Sequence, residues 1–145
     1  MEAWIALAVS FCALIVSLWG TVFIARWNKR TETFKVFDDL YIKLTSPEVP
    51  DELKLVGFTL IDPSQINEYM ANNKQSVYQV LNVLETMSLK ILKGYIEENI
   101  IKRFYRHLVV DAYDRLSPLI NYIKVNNPKM CDVYEHYEAI YNKWK

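Results

Sequence analysis

The side chains that most often perform chemistry in proteins are few in this sequence and lie far apart. His107 and His136 have no neighbours at the spacing of a metal-ligand set. Asp38 and Asp39 are adjacent, so on a helix they point about 100° apart and do not converge as a carboxylate pair. No glycine-rich phosphate-binding loop is present. The sequence therefore predicts no catalytic residue, no metal site and no cofactor, and we expect a protein that is not an enzyme.

One short segment has the residue types of a phosphate or nucleic-acid contact. This basic cluster combines cations with aromatic rings and consists of Lys102, Arg103, Tyr105, Arg106 and His107. Cations of this kind hold phosphates, and aromatic rings stack on the bases of a short single strand. The alternative is a solvated helix face that the carboxylates at positions 111 and 114 partly neutralise. The ligand expected at such a cluster is anionic, for example a short DNA oligomer.

Asn82 and Glu85 lie three residues apart among apolar neighbours. On a helix this spacing places both on one face. They are expected either to form a buried polar pair that keeps helices in register or to contact a ligand. Packing is the preferred interpretation.

The elements that must position these residues begin with an apolar segment. No residue from Ala3 to Ala25 is charged or proline, and about 20 apolar residues suffice to cross a bilayer as a helix. Arg26, Lys29 and Arg30 follow it directly, and such cations stay on the cytoplasmic side. We therefore expect a transmembrane helix over residues 1–25, with the N-terminus outside and the remainder cytoplasmic. A buried helix of a soluble protein is the alternative.

Small residues recur along this predicted span at intervals of three and four. The small-residue stripe consists of Ala3, Ala6, Ser10, Ala13, Ser17 and Gly20. Lipid provides no hydrophobic drive for helices to associate, so close backbone approach through small residues must supply it. The stripe predicts parallel self-association into a homo-oligomer. Chance spacing of residues that are common in membrane helices is the competing explanation.

Three hydroxyls share one face of the span, because Ser10, Ser17 and Thr21 are seven and four residues apart. In an oligomer they would line a narrow axis, together with the stripe, and a polar axis tolerates water where leucine does not. Alternatively, each hydroxyl bonds a carbonyl one turn earlier in its own helix. The latter is favoured for any single residue.

The rest of the chain has helical periodicity and helix-boundary residues. The first helix is predicted to continue over residues 26–46, before Pro47 and Pro50, and a small helical bundle is expected over 47–145. Residues 48–61 are either a short helix or an irregular connection. Helix boundaries are expected at the following positions: Asp62 as a cap with Pro63 at the first position and Gln65 completing the capping box, a kink at Asn72 and Asn73, a stop at Gly94, a start at Glu97 and Glu98, a bend or restart at Pro118, and a last start at Asn127.

Composition agrees with an all-α protein. The 17 Lys and Arg balance the 17 Asp and Glu, which excludes a strongly basic nucleic-acid binder or an acidic tail. Only 3 Gly and 5 Pro argue against a turn-rich all-β protein. Cys12 falls in the span and Cys131 in the bundle, so the two are not expected to pair.

The order of these elements resembles a family of small bacterial single-pass membrane proteins of uncharacterised domain type. The resemblance rests on the basic residues after the span, on the break at residues 46–48, and on residues 81–85, 94–98 and 137–141 before Trp144. Some proteins of this plan look like the transmembrane effectors of Hailong-type antiphage systems. That resemblance implies an inner-membrane, homo-oligomeric channel that a partner nucleotidyltransferase holds shut through its DNA oligomer.

Together, these features lead us to expect a membrane effector that forms a regulated pore or membrane lesion, gated through its cytosolic domain by an anionic ligand. The alternative is a membrane-anchored adaptor or scaffold that recruits a cytosolic protein and does not conduct.

Overall fold

The computed structural model describes residues 2–54, 60–127 and 132–145. Within these ranges the chain is all-α, as predicted, with a long apolar first helix and a small bundle. The four α-helices are α1 (Glu2–Leu44), α2 (Ile66–Leu92), α3 (Glu98–Asn126) and α4 (Glu135–Trp144). Two short 3-10 helices, Asp51–Leu53 and Pro63–Gln65, lie between α1 and α2.

Helix α1 is a single helix of 43 residues, about 65 Å long. Its continuation beyond the apolar segment was predicted, and it ends two residues before the predicted boundary. The Thr45 N–H donates to the Tyr41 carbonyl at 3.0 Å, one residue past the last helical position. The side chains described up to residue 31 are solvent-facing or nearly so, whereas one face of the second half enters the core through Val36, Leu40 and Leu44.

The start of α2 differs in part from its prediction. Asp62 does cap the turn, since its carboxylate accepts from the Ser64 N–H at 2.9 Å, and Pro63 takes the first position. The capping box is wrong, because Gln65 makes no side-chain hydrogen bond to another described residue. The first turn is a 3-10 turn, and the α-helix proper begins at Ile66. Residues 48–61 were predicted to be a short helix or an irregular connection. Their described part contains the 3-10 helix Asp51–Leu53, and residues 55–59 lie outside the described residues.

The predicted kink and stop of α2 are both confirmed. Asn73 leaves helical geometry at φ −122° and ψ 17°. After Leu92 the chain turns at Gly94, whose φ of 71° lies in the left-handed region that glycine adopts without strain. The Tyr95 N–H then donates to the Lys90 carbonyl and the Gly94 N–H to the Ile91 carbonyl, each at 3.0 Å. These two bonds form a Schellman motif that satisfies the last carbonyls of α2.

Helix α3 begins where predicted, with Glu97 as its N-cap and Glu98 in its first turn. It also runs through Pro118 as one helix, so the proline does not restart it. Pro118 has no N–H to offer the Asp114 carbonyl, and the Ser117 hydroxyl donates to that carbonyl at 3.0 Å instead.

The predicted start of the last helix is wrong. Asn127 is the C-cap of α3, and both its backbone N–H and its side-chain amide donate to the Ile123 carbonyl. Helix α4 starts only at Glu135, after Tyr134 takes a left-handed conformation at φ 66°. Asn before Pro indicates an interruption of helical structure. Here it marks the end of α3 and not the start of α4.

The helices alternate in direction. Helix α2 returns along α1, because Lys90 near its end pairs with Glu32 of α1 and Ser76 nearer its start donates to the carbonyl of Glu48, just after α1. Helix α3 then runs alongside α1, and α4 returns along α3, because Glu98 bonds Trp144 at one end of that pair. The core is formed by apolar side chains from all four helices, with Trp144 and Tyr137 among the largest fully buried ones.

Candidate functional site

The small-residue stripe lies on the part of α1 that no other element of the chain covers. Ala6, Ser10, Ala13 and Ser17 are exposed and Gly20 is half-buried, while nothing lies within 4 Å of a Cβ built on Gly20. The side chain of Ala3 is outside the described set. The stripe is therefore open to a partner from outside the chain, as its proposed role in oligomer packing requires.

Two of the three hydroxyls predicted to share a face, those of Ser10 and Thr21, bond within their own helix, while the Ser17 hydroxyl makes no hydrogen bond to a described residue. Ser10 Oγ donates to the Ala6 carbonyl and Thr21 Oγ1 donates to the Ser17 carbonyl, each at 2.9 Å. This is the alternative that the sequence favoured for a single hydroxyl. The hydroxyl protons are thus used locally, while the oxygen atoms keep lone pairs that can accept from water or from a neighbouring helix.

The basic cluster is divided by the fold. Arg106 turns toward the end of α4, where its Nε donates to the Trp144 carbonyl at 2.6 Å and its second terminal nitrogen donates to the Lys145 carbonyl at 3.1 Å. A guanidinium at this place satisfies carbonyls that a helix end leaves without partners. Arg106 therefore closes α4 onto α3, and its contact with an anionic ligand stays a prediction.

Tyr105 is also occupied by packing. Its ring lies 4.9 Å from that of Phe37 on α1, and burial, with a smaller effect of the Asp38 carboxylate, raises the pKa of its hydroxyl. Phe37 also meets Phe104 edge to face at 6.0 Å. These contacts join α1 to α3 and occupy the ring of Tyr105, whereas the ring of Phe104 remains 70% exposed.

Lys102, Arg103 and His107 remain as the part of the basic cluster that faces outward. Arg103 and His107 are exposed and Lys102 is half-buried, with its charge acting on Glu98 one turn earlier. Arg103 and His107 are four residues apart and share one side of α3, and the neighbouring ring of Phe104 is exposed.

Glu85 has a role other than the predicted pair with Asn82. Its carboxylate crosses to the first turn of α4, where it accepts the N–H groups of His136 at 3.3 Å and Tyr137 at 2.8 Å. His136 Nδ1 lies 2.6 Å from the same carboxylate. Asn82 is exposed and makes no hydrogen bond to a described residue, so the pairing prediction is wrong. Glu85 caps α4 at a distance of more than fifty positions along the chain, and no local sequence signal marks it.

A groove of about 290 Å³ lies between α1 and α2 and was not anticipated from the sequence. Its floor is apolar and includes Val36 and Met87, while its rim carries Asp39, Lys43 and Lys90. On each helix the residues that line the groove recur at intervals of three or four positions. This spacing is the only sequence signal that could have located the groove. Its charges are mixed, and the Lys90 ammonium already lies 3.9 Å from the Glu32 carboxylate.

The described residues contain no group of three or more His, Cys, Asp or Glu that could hold a metal ion. They contain one helix long and apolar enough to cross a membrane, the N-terminal α1, by length and composition alone. Cys12 is exposed on this helix, and Cys131 lies outside the described residues.

Comparison with known proteins assigns a family but no activity. No curated protein matches the chain, and no solved structure matches it. One family model covers residues 7–144, which takes in the apolar helix as well as the bundle. The chain therefore belongs to the family of the domain of unknown function DUF4760.

Proposed function

We propose that this protein is a homo-oligomeric membrane effector whose N-terminal helices assemble into a regulated pore or membrane lesion. The apolar half of α1 crosses the bilayer with its N-terminus outside, and the bundle lies in the cytoplasm. The observation that carries the proposal is that no described side chain in this half of α1 is buried in its own chain, while the helix presents an open stripe of small residues.

The exposed face of α1 continues past the span. Trp27, Phe34 and Tyr41 follow one another at intervals of seven residues, about two helical turns, and all three are exposed. Seven-residue spacing of large apolar side chains is typical of helices that pack in parallel. Once α1 enters water, burial of these rings between copies supplies the hydrophobic drive that lipid does not.

An anionic ligand is proposed to act on the bundle at Lys102, Arg103 and His107, the outward-facing part of the basic cluster. A ligand shifts a closed and an open state only if it binds them unequally, by about 1.4 kcal/mol for each tenfold change in population. The role in antiphage defence, and the nucleotidyltransferase whose DNA oligomer would be the ligand, rest on the resemblance to Hailong-type effectors. A location in the bacterial inner membrane follows from the same resemblance.

The second candidate is a membrane-anchored adaptor that recruits a cytosolic protein without conduction. The observation that favours it is the bonding of Ser10 and Thr21 to their own helix, which leaves no hydroxyl proton of these residues directed at a central axis. In this case the stripe packs the spans together but encloses no path for ions.

Ion flux through liposomes that contain the purified full-length chain separates the two candidates. The effector should release a trapped ion or dye, and the adaptor should release none even when it is oligomeric. Absence of flux under every condition, including without any anionic ligand, would contradict the pore.

Leucine in place of Ala13 and Gly20 tests the stripe, because the bulk prevents close approach of two helices. The mass of the detergent-solubilised particle should fall toward that of one chain, and flux should be lost. Ala8→Leu is the matched control, since position 8 lies about 200° around the helix from Ala6. An unchanged particle mass in the double variant would remove the stripe as an interface.

Arg103→Glu tests the ligand-binding face without disturbing the Arg106 contact to α4. A short single-stranded DNA should bind the variant more weakly and with a smaller salt dependence than the parent chain. Lys74→Glu, an exposed charge reversal on α2, is the control for net charge. Equal binding by the parent and by Arg103→Glu would exclude this face.

A further inference from the structure

The turn between α2 and α3 lies at the end of the bundle from which the apolar half of α1 projects. Glu32 is six residues beyond Arg26, hence about 9 Å along the axis, and it lies beside Lys90 near the end of α2. Because α2 runs back toward the apolar half, Leu92 and Lys93 come closer still, to about the level of Lys29. The headgroup layer of a bilayer is about 5–8 Å thick on each side, so the turn reaches it.

Two bonds to α1 hold the turn at that height. The Glu97 N–H donates to Thr33 Oγ1 at 2.9 Å, and Thr33 itself is fully buried and donates to the Lys29 carbonyl at 2.8 Å. Lys90 makes the ion pair with Glu32 on the incoming side. The short segment between them is closed by the Schellman motif at Gly94. The turn therefore has a defined position along the axis of α1, set mainly by the Glu97–Thr33 hydrogen bond.

Residues 92–97, which we call the membrane-side turn, expose the side-chain types that favour a lipid interface. Leu92 is 43% exposed and Tyr95 is 66% exposed, with Lys93 exposed between them. Tyrosine is enriched at the headgroup level because its ring is apolar and its hydroxyl is polar. Lysine extends an apolar stem along such a surface and places its ammonium among the phosphates.

The two ends of the bundle carry opposite charge. The end near the apolar half of α1 has mainly cations, namely Arg26, Lys29, Arg30, Lys93 and Lys143, against the carboxylates of Glu32, Glu97 and Glu98, the last of which pairs with Lys143 at 2.7 Å. The opposite end, around the connection of α1 to α2, has mainly carboxylates, namely Glu48, Asp51, Glu52, Asp62 and Glu68. Cations near the surface of an anionic leaflet are attracted to it, and carboxylates are kept away. The charge distribution therefore favours this end against the headgroups.

We propose that the membrane-side turn rests on the headgroup layer of the bilayer that α1 crosses, with Leu92 and Tyr95 in the interface and Lys93 on anionic phosphates. This contact rests on the membrane span of the proposed function and adds a second attachment beside it. Two attachments fix the tilt of the bundle on the membrane, which a single helix leaves free. A lipid surface is the occupant because the Glu97–Thr33 hydrogen bond places the turn beside the helix that enters the lipid, and because cations predominate at this end.

Nitroxide labels on the full-length chain in vesicles test this contact. With Cys12 and Cys131 replaced by Ser, single labels are placed at Leu92→Cys, at Val125→Cys and at Val16→Cys. Val125 is the matched control, since it is 77% exposed at the far end of α3. The readout is the collision rate of each label with a water-soluble nickel chelate, in phosphatidylcholine vesicles with and without phosphatidylglycerol.

The label at 92 should collide with the chelate several-fold less often than the label at 125. Adding phosphatidylglycerol should lower its collision rate further. Tyr95→Glu should restore collision, and Lys93→Gln should weaken the phosphatidylglycerol effect about fivefold, the value of one basic residue near an anionic surface.

Three outcomes would overturn the proposal. Equal collision rates at 92 and 125, with the label at 16 inaccessible, would show a membrane span without a docked turn. An accessible label at 16 would refute the span, and with it both this contact and the proposed function. A low collision rate at 92 that falls further as the protein concentration rises, and that Tyr95→Glu does not change, would show that another copy of the chain covers the turn.

Discussion

The two halves of α1 belong to one helix but are stabilised by different means. In the first half, large apolar side chains such as Leu14 and Phe23 face outward, and in the second half one face is buried to completion at Leu40 and Leu44. The change occurs within two turns after Arg26 and is marked by Thr33, the first fully buried residue among the described side chains. Nothing in the backbone changes there, because the helix is continuous.

The difference shows that hydrophobic side chains have two separate functions in this chain. In the bundle they stabilise the fold by leaving water, at about 25 cal/mol for each Å² buried. In the apolar half they remain exposed, and on the proposed membrane span they would match a lipid solvent, where packing of small residues decides association. Mutations of the same type should therefore have different effects in the two halves, and this can be measured.

The largest expected effect is that of Leu40→Ala. Leu40 is 0% exposed in the core, and removal of a buried leucine side chain costs about 3 kcal/mol through lost burial and the cavity left behind. Leu14→Ala, at 58% exposure on the same helix, should leave unfolding of the bundle unchanged. Thermal unfolding of both full-length variants in detergent checks this contrast, and equal losses would refute the division of α1.

A smaller loss is expected for Glu85→Ala. The variant leaves two N–H groups at the start of α4 without their acceptor, which costs about 1–2 kcal/mol. Hydrogen exchange at His136 and Tyr137 should accelerate before that of the α2 core. Asn82→Ala, on the exposed side of the same helix, should change neither quantity, and a similar loss there would contradict the capping role.

Glycine substitutions provide a further contrast between the halves. Gly94→Ala should destabilise the bundle by about 1 kcal/mol, because alanine is strained at a φ of 71° even though its Cβ meets no atom. Gly20→Ala, with helical backbone and open space around it, should not destabilise the bundle. Denaturant unfolding of both variants measures the difference. Equal stability of the two would contradict a special conformation at Gly94.

The smallest expected effect is a dependence of the bundle's stability on acid pH, through the Glu98 carboxylate at the end of α4. The hydrogen bond from Lys143, followed by that from Trp144, lowers the pKa of the Glu98 carboxyl, with burial opposing them. A carboxyl with a lowered pKa in the folded state stabilises above its unfolded pKa, and this contribution is lost as the pH falls below about 4.5. Glu98→Gln should show a flatter loss of stability between pH 5 and pH 3. An unchanged slope would show that Glu98 contributes nothing to it.

Much of the helical architecture could be predicted because the relevant signals are local. The apolar segment, the proline pair after Thr45, the left-handed Gly94 and the kink at Asn73 each depend on a few consecutive residues. The misreading of Asn127 had a local cause too. Asn before Pro interrupts a helix, but the same pair is compatible with an end or a beginning, and only the bonds to the Ile123 carbonyl decide which.

The candidate sites also differ in how much of them local sequence could predict. The small-residue stripe was visible as a spacing, and the structure adds only that nothing in the chain covers it. The basic cluster was visible as composition, but two of its members, Arg106 and Tyr105, close α4 and join α1 to α3. Composition shows which charged and aromatic side chains the chain contains, but not which of them are already engaged in contacts within the fold.

The amino-acid sequence by itself determined that the chain is helical, where its apolar span lies and which positions are small, since hydropathy and periodicity are properties of neighbouring residues. The tertiary structure alone decided that Glu85 and Arg106 secure the two ends of α4 and that Thr33 holds the membrane-side turn. These contacts join residues far apart in the chain, and they depend on how four helices pack rather than on any local preference.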